Sequence, residues 1–173
     1  MTNLLITGFP RSGKTTLIKK IFQVNTIGKK TGGFFTEEFQ KEGVRIGFNI
    51  VTVPEGRKSL LAQKGFPSPC RVGRYGVNIQ MLEELGCQAI LRAKATGNTI
   101  IVDEIGKMEL FSEKFRTILM DALNSPQKVI ATIMERPNAF ADRIKKRPDV
   151  RLLFLERKNF ENVFQEVLNW LDK

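Results

Sequence analysis

The chain has 173 residues and a formal net charge of +10, with 28 Lys and Arg against 18 Asp and Glu. A chain of this length is predicted to form one domain, residues 1–173, with a substantial core. The sequence contains no histidine, which excludes histidine-based triads and histidine-ligated metals, so a general base must be a carboxylate or another group.

The first predicted elements are a strand, a glycine loop and a helix. Asn3–Thr7 is an apolar run of strand length, and residues 8–15 read GFPRSGKT. Apolar residues then recur at the spacing of a helix, at Leu17, Ile18 and Ile21. This order is the setting in which the pattern G-x-x-x-x-G-K-[ST] binds phosphate.

The next part of the chain favours antiparallel strands. Residues 34–39 and Val44–Val53 predict a β-hairpin that turns at residues 40–43. Ser59–Gln63 could form a further short strand. Residues 64–77 are rich in Gly, Pro and Arg and are predicted to be a loop.

Helices and strands alternate in the second half of the chain. The predicted helices begin at Asn78, after a capping Ser112, within 138–147 and near Phe160. The predicted strands are 99–103, 128–133 and 151–155. The alternation predicts the α/β class, with a mostly parallel sheet, helices on both faces and an antiparallel hairpin as an elaboration.

The glycine loop carries the first chemical signal. Its backbone N–H groups can point at phosphate oxygens, and the following helix presents its positive end to them. Lys14 would reach the β- and γ-phosphates, and the Thr15 hydroxyl would contact Mg²⁺.

The segment 100–104, IIVDE, carries the second signal. An apolar strand that ends in Asp is the Walker B pattern, so Asp103 is predicted to hold Mg²⁺ directly or through water. Glu104 can accept a hydrogen bond from a water placed in line with the γ-phosphorus, which favours hydrolysis over transfer to an organic acceptor. Lys14 and Glu104 are therefore the candidate catalytic residues.

Charge that develops in phosphoryl transfer often requires an arginine. The sequence offers several candidates without choosing between them, and a solvated basic face is the alternative interpretation. They are Arg11, Arg136, Arg143, Arg147 and Arg151.

Four segments together resemble one family, the THEP-type nucleoside triphosphatases. They are the loop 8–16, GFFTEE at 33–38, RVGRYGV at 71–77 and VDEIGKMEL at 102–110. The resemblance runs from residue 1 to about residue 155, with these segments in matching order. The resemblance implies a RecA-like P-loop domain in which one strand separates the Walker A and Walker B strands. It also implies Mg²⁺-dependent release of phosphate from ATP, GTP and other nucleoside triphosphates such as CTP and UTP.

The resemblance also implies a set of binding residues. The residues expected to bind the nucleotide are Gly8, Phe9, Pro10, Arg11, Ser12, Gly13, Lys14, Thr15, Thr16, Ile101, Val102, Asp103, Glu104, Ile105 and Gly106, with Thr15 and Asp103 at the metal.

One residue of this set departs from the family pattern. The family usually has glycine at the position of Arg11, and an arginine adopts a positive φ less readily than glycine. Glu37, Glu38, Arg71 and Arg74 could face the site or lie in solvent.

Two alternative functions stay open. One is a small-molecule or nucleotide kinase with residues 143–147 as a lid, and the other is an ATPase stimulated by nucleic acid, suggested by the basic charge. The charges are scattered, so solubility and triphosphate binding are the favoured explanation of the net charge. The preferred base is left open, and a monomer is expected.

The cysteines and the apolar runs predict the compartment. Cys70 and Cys87 are too few for a disulfide scaffold or a four-ligand zinc site, so both are expected to be free thiols. The apolar runs are too short for a membrane span, and the first run ends in the glycine loop, unlike a signal peptide. A cytoplasmic protein with no membrane partner is therefore expected.

Overall fold

A computed structural model describes residues 2–24 and 30–172. The strands of these ranges are β1 (Asn3–Thr7), β2 (Thr31–Lys41), β3 (Val44–Val53), β4 (Lys58–Lys64), β5 (Arg71–Val72), β6 (Tyr75–Val77), β7 (Thr99–Ile105), β8 (Val129–Ile133) and β9 (Val150–Phe154). The helices are α1 (Lys14–Gln23), α2 (79–95, with a π-helical turn at Leu82–Cys87), α3 (Glu113–Leu123), α4 (Ala139–Lys145) and α5 (Phe160–Leu171), with 3₁₀ turns at Glu109–Phe111 and Arg157–Asn159.

The strands form a single mixed sheet in the order β5-β6-β4-β3-β2-β7-β8-β1-β9. The half that runs from β2 through β7, β8 and β1 to β9 is parallel. The strands from β2 to β5 along that order pair antiparallel. The predicted α/β class is therefore confirmed, and β8 is the one strand between β1 and β7 that the RecA-like order requires.

The antiparallel part is larger than the predicted hairpin. β2 and β3 turn at residues 42–43, within the predicted turn at 40–43, and β4 confirms the short strand predicted at Ser59–Gln63. β5 and β6 extend the sheet further. The prediction of a loop over residues 64–77 is therefore wrong for β5 and β6. These strands have two and three residues, too few to show a periodic pattern, and Gly76 permits a close approach to the Phe66 carbonyl rather than a turn.

Helices cover both faces of the sheet, as predicted. One core lies under α2, α3 and α4, and includes Leu5, Val102 and Phe115. The other lies under α1 and α5, and includes Ile101 and Trp170. The central strands are buried on both faces, which explains why their sequences are continuous apolar runs.

The predicted helix starts are confirmed where a side chain caps them. The Ser112 hydroxyl accepts a hydrogen bond from the Phe115 N–H at 3.0 Å, and the side-chain Oδ1 of Asn138 accepts one from the Phe140 N–H at 3.0 Å. In the described residues, no helix is long and apolar enough to cross a membrane. Cys70 and Cys87 are free thiols, as expected.

We expect Gly33→Ala to lower the free energy of unfolding far more than the matched substitution Gly43→Ala. A Cβ atom on Gly33 would lie 1.9 Å from the Ile101 carbonyl oxygen, so β2 and β7 would have to separate. Gly43 also has a positive φ, but a Cβ atom there meets nothing within 4 Å. Urea denaturation should show a loss of about 4 kcal/mol or more for Gly33→Ala and about 1 kcal/mol for Gly43→Ala. Equal losses would contradict this explanation.

Candidate functional site

The glycine loop joins the carboxyl end of β1 to the first turn of α1. Gly13, at φ 100°, precedes Lys14 as the N-cap, and the Ser12 N–H bonds to the Phe9 carbonyl oxygen at 3.1 Å. Arg11 has φ 65°, so it takes the left-handed backbone that glycine adopts more easily. The loop thus has the strand-to-helix setting that the motif requires.

Lys14 turns its side chain back across the loop. Its Nζ donates to the Gly8 carbonyl oxygen at 3.0 Å and lies 3.9 Å from Glu104 Oε1. The ammonium group therefore sits between the loop and the carboxylate that follows Asp103. A phosphate bound by the loop would meet this positive charge.

Asp103 is the most enclosed carboxylate of the site, with 1% of its surface exposed. Thr15 Oγ1 donates to Asp103 Oδ2 at 2.8 Å, and Thr132 Oγ1 donates to Asp103 Oδ1 at 2.5 Å. Burial raises the pKa of Asp103, while the hydrogen bonds from Thr132 and Thr15, the Thr36 backbone and the charge of Lys14 oppose that rise. The structure thus brings together the two residues that were predicted to contact a metal.

This donor set suits a metal that shares its ligands with phosphate. In the described residues, no three His, Cys, Asp or Glu side chains form a metal cluster. One carboxylate and one hydroxyl are what Mg²⁺ uses when phosphates and waters supply its other ligands. Asp103 and Thr15 therefore fit Mg²⁺ better than a metal that needs a full protein cage.

Glu104 lies beside this centre with 34% of its side chain exposed. Burial raises its pKa, the Asp103 charge adds to the rise, and the Lys14 charge opposes it. A carboxylate with a raised pKa is a better proton acceptor, and its partial exposure leaves room for a water.

Two cavities meet at Glu104. A polar cavity of about 810 Å³ is lined by loop residues 10–16 except Ser12, and by charged side chains of β2 and β3. An apolar cavity of about 380 Å³ is lined by Phe48, Leu61, Val72, Met108 and Met134, together with polar residues that include Glu109 and Arg136. Lys14 and Glu104 line both cavities.

The remaining predicted nucleotide-binding residues are placed differently. Ile101, Val102 and Ile105 are fully buried in the cores, where they carry Asp103 and Glu104 without lining either cavity. Gly106 lines the apolar cavity. Phe9 is exposed and packs edge-to-face on Phe154, with ring centroids 5.6 Å apart.

The acidic pair of β2 lies at the polar cavity, and its charges are compensated. Glu37 contacts Lys19 at 2.6 Å and Lys58 at 2.7 Å, and these hydrogen bonds lower its pKa. Glu38 contacts Arg45 at 2.5 Å. Glu37 and Glu38 therefore line the predicted site while they hold cations in place.

Arg71 and Arg74 are not at either cavity. Arg71 Nη2 donates to the Arg74 carbonyl oxygen at 3.3 Å within the turn between β5 and β6. Neither side chain is among the residues that line the two cavities, whereas their neighbour Val72 is.

The arginine candidates separate into two groups. Arg11 lines the polar cavity and Arg136 lines the apolar one. The other three make structural contacts: Arg143 stacks on Phe140, Arg147 pairs with Asp149, and Arg151 pairs with Glu166.

Sequence reasoning missed three groups at the site. Thr36 and Thr132 bond to Asp103, and Arg45 stacks on Phe48 and Tyr75, with its guanidinium 5.3 and 5.9 Å from the ring centroids. One feature of the sequence could have indicated Thr132, since it is a polar residue inside the apolar strand β8. Arg45 had none, because it reaches the site through the pairing of β2 with β3.

Comparisons with known proteins agree with this geometry. A family model described as NTPase matches residues 3–168. A protein of Thermotoga sp. (strain RQ2), named nucleoside-triphosphatase THEP1, is 45% identical over 97% of this chain and 94% of its own length. A mouse protein, named cancer-related nucleoside-triphosphatase homolog, is 34% identical over 96% of this chain and 94% of its own length.

Solved structures show the same likeness. The crystal structure of THEP1 from the hyperthermophile Aquifex aeolicus superposes with a TM-score of 0.88 at 39% identity, covering 99% of both chains. The resemblance suggested by the motifs is thereby confirmed along nearly the whole chain. With its strand order, its phosphate loop and its Asp103 centre, the chain belongs to the NTPase family of nucleoside-triphosphatases.

Proposed function

We propose that the protein is a nucleoside-triphosphatase that hydrolyses ATP, GTP, CTP and UTP to the diphosphate and inorganic phosphate with Mg²⁺. The observation that carries the proposal is the position of Glu104. Its carboxylate lies 3.9 Å from the Lys14 ammonium and one residue after Asp103, which is bonded to Thr15 of the phosphate loop.

The loop binds and orients the triphosphate. Backbone N–H groups of residues 11–16 would contact phosphate oxygens, and Lys14 would exchange its bond to the Gly8 carbonyl for the β- and γ-phosphates. Thr15 and Asp103 would hold Mg²⁺, and the cation would neutralise negative charge on the phosphate oxygens. These contacts involve the part that all four triphosphates share, so we expect weak selection among bases.

Glu104 supplies the orientation of the attacking water. Its partly exposed carboxylate can accept a hydrogen bond from a water at the junction of the two cavities. Its raised pKa favours acceptance of a proton as the water oxygen bonds to phosphorus. The diphosphate then leaves with its charge balanced by Lys14.

The size of the apolar cavity is a reason to test the kinase alternative as well. The apolar cavity of about 380 Å³ is far larger than the space of about 30 Å³ that one water needs. The predicted lid does not favour a kinase, because Arg143 and Arg147 are tied to Phe140 and Asp149 on or beside α4. We propose that the protein has no nucleic-acid partner, because its charges are scattered along the sequence. We also propose a cytoplasmic protein, on its two free thiols, and a monomer.

We expect Glu104→Gln to lower kcat by about 10²- to 10³-fold and to leave nucleotide affinity nearly unchanged. The amide keeps the size of the side chain but cannot accept the proton. Phosphate release from ATP, GTP, CTP and UTP without an added acceptor measures the effect, and Glu135→Gln, in the wall of the apolar cavity, is the matched control. Asp103→Asn should lose both turnover and dependence on Mg²⁺.

The same assay separates the three functions. Steady phosphate release without an acceptor supports hydrolysis, whereas diphosphate formed only with an organic acceptor would indicate a kinase. Stimulation by RNA or DNA that declines steeply with salt would indicate the nucleic-acid alternative. Unchanged turnover in Glu104→Gln together with an inactive Asp103→Asn would overturn the role of Glu104.

Arg136→Ala should lower kcat by about 10²-fold with a small change in KM, because Arg136 is the candidate that lines the cavity beside Glu104. Arg143→Ala is the control, since Arg143 stacks on Phe140 away from that cavity. Its kcat should stay within about twofold of the wild type. Equal losses in the two variants would assign the effect to the basic surface rather than to one side chain.

Two substitutions at Arg11 separate backbone strain from charge. Arg11→Gly removes both the charge and the cost of a side chain at φ 65°, while Arg11→Ala removes the charge alone. We expect Arg11→Gly to be more stable than Arg11→Ala by about 1 kcal/mol in urea denaturation, and both to raise the KM for ATP to the same extent. Equal stability of the two variants would show that this left-handed residue is unstrained.

A further inference from the structure

Two carboxyl groups meet around Gly106, directly after β7. The position that a Cβ atom would take on Gly106 lies 3.0 Å from Glu109 Oε2 and 3.5 Å from Glu104 Cδ. The absence of a side chain at Gly106 therefore leaves one shared space for the carboxyl groups of Glu104 and Glu109.

Glu109 is much more deeply buried than Glu104. It is 4% exposed, at the start of the 3₁₀ turn that follows Gly106. Among the described residues, no Lys or Arg nitrogen lies within 4.0 Å of its carboxyl oxygens. A buried carboxylate without a cation is costly, so such a group takes up a proton instead.

The turn that carries Glu109 is held from two directions. The Leu110 N–H donates to the Gly106 carbonyl oxygen at 3.0 Å, which closes the turn on the end of β7. Arg116 Nη1 of α3 donates to the Leu110 carbonyl oxygen at 2.6 Å. These hydrogen bonds therefore hold the backbone that carries Glu109 against the end of β7.

The charges that face Glu109 are mostly negative close by and mixed farther away. Burial raises the pKa of Glu109 to about 8, and the Glu104 and Asp103 charges on β7 add to the rise, while backbone N–H groups of Glu109 and Gly106 oppose it. The other charged groups around this space are Lys14 of α1, Glu83 of α2 (bonded to Ser112), and Lys107, Glu135 and Arg136 in the wall of the apolar cavity.

We propose that the buried Glu109 carboxyl group stays uncharged at neutral pH, so that Glu104 alone of this pair is the carboxylate that orients the attacking water. The inference rests on the function proposed above. An ionised Glu109 would add a negative charge beside Glu104, Asp103 and the triphosphate. That charge would oppose the negative charge that gathers on the phosphoryl oxygens in the transition state.

The sign of the pH dependence follows from this arrangement. Below about pH 8, Glu109 is protonated and the site is active; above it, Glu109 ionises and turnover falls. Bound Mg·ATP carries a net negative charge even with the cation included, so it makes ionisation of Glu109 harder, and the decline should begin at that pH or above it. Glutamine is uncharged at every pH and should remove the decline.

The test measures kcat for Mg·ATP hydrolysis from about pH 6 to about pH 9.5 in the wild type and in Glu109→Gln. We expect Glu109→Gln to keep kcat within about threefold at neutral pH, with a similar KM, and to lose the alkaline decline that the wild type shows. Glu135→Gln, which removes a carboxylate from the same cavity wall, should keep that decline.

Three results would overturn the proposal: a wild type without an alkaline decline, a Glu109→Gln variant that declines like the wild type, or a folded Glu109→Gln variant inactive at every pH. Should that variant not fold, the side-chain carboxyl carbon of Glu109 in the wild type can be followed by NMR, and an ionised group at pH 7 would refute the inference. None of these results touches the role of Glu104, which Glu104→Gln tests separately.

Discussion

The hydrogen bonds around the buried carboxylate of Asp103 hold the site together. Thr15 lies in the first turn of the helix after the phosphate loop, Asp103 ends the apolar part of β7, and Thr132 lies on β8 between the two strands that lead to the site. A carboxylate with 1% exposure would be expensive without partners, and these hydroxyls supply them. These hydrogen bonds therefore fix the phosphate loop, the metal ligands and Glu104 relative to one another.

The antiparallel strands form the side of the site that lies opposite the phosphate loop. β2 continues the parallel half through β7 and the antiparallel half through β3, so its residues after Gly33 lie across from the loop. Thr36 bonds to Asp103 from this side, and Glu37 joins Lys19 of α1 to Lys58 of β4. The antiparallel part of the sheet thus lines the polar cavity and is joined by the contact between Glu37 and Lys19 to the helix that follows the loop.

The sequence predicted the parts of the site that are adjacent along the chain. The loop, Asp103 and Glu104 are recognisable because motif and strand pattern occupy a few consecutive residues. Thr132, Thr36 and Arg45 were missed because they reach the site through strand pairing over tens of residues. The burial of Glu109 was invisible for the same reason, since it depends on α3 and on the cavity wall, and β5 and β6 were too short to show a period.

The pairing of β1 has a consequence for how the molecule is made. Leu5 lies opposite Ala131 of β8 and Leu152 of β9, so the first strand of the chain has two of the last strands as its neighbours. During synthesis, the hairpin of β2 and β3 can form from local contacts, whereas β1 cannot complete its pairing until β8 and β9 have been made. The strand that leads into the phosphate loop is therefore among the last to be fully paired, and its apolar side chains stay exposed until then.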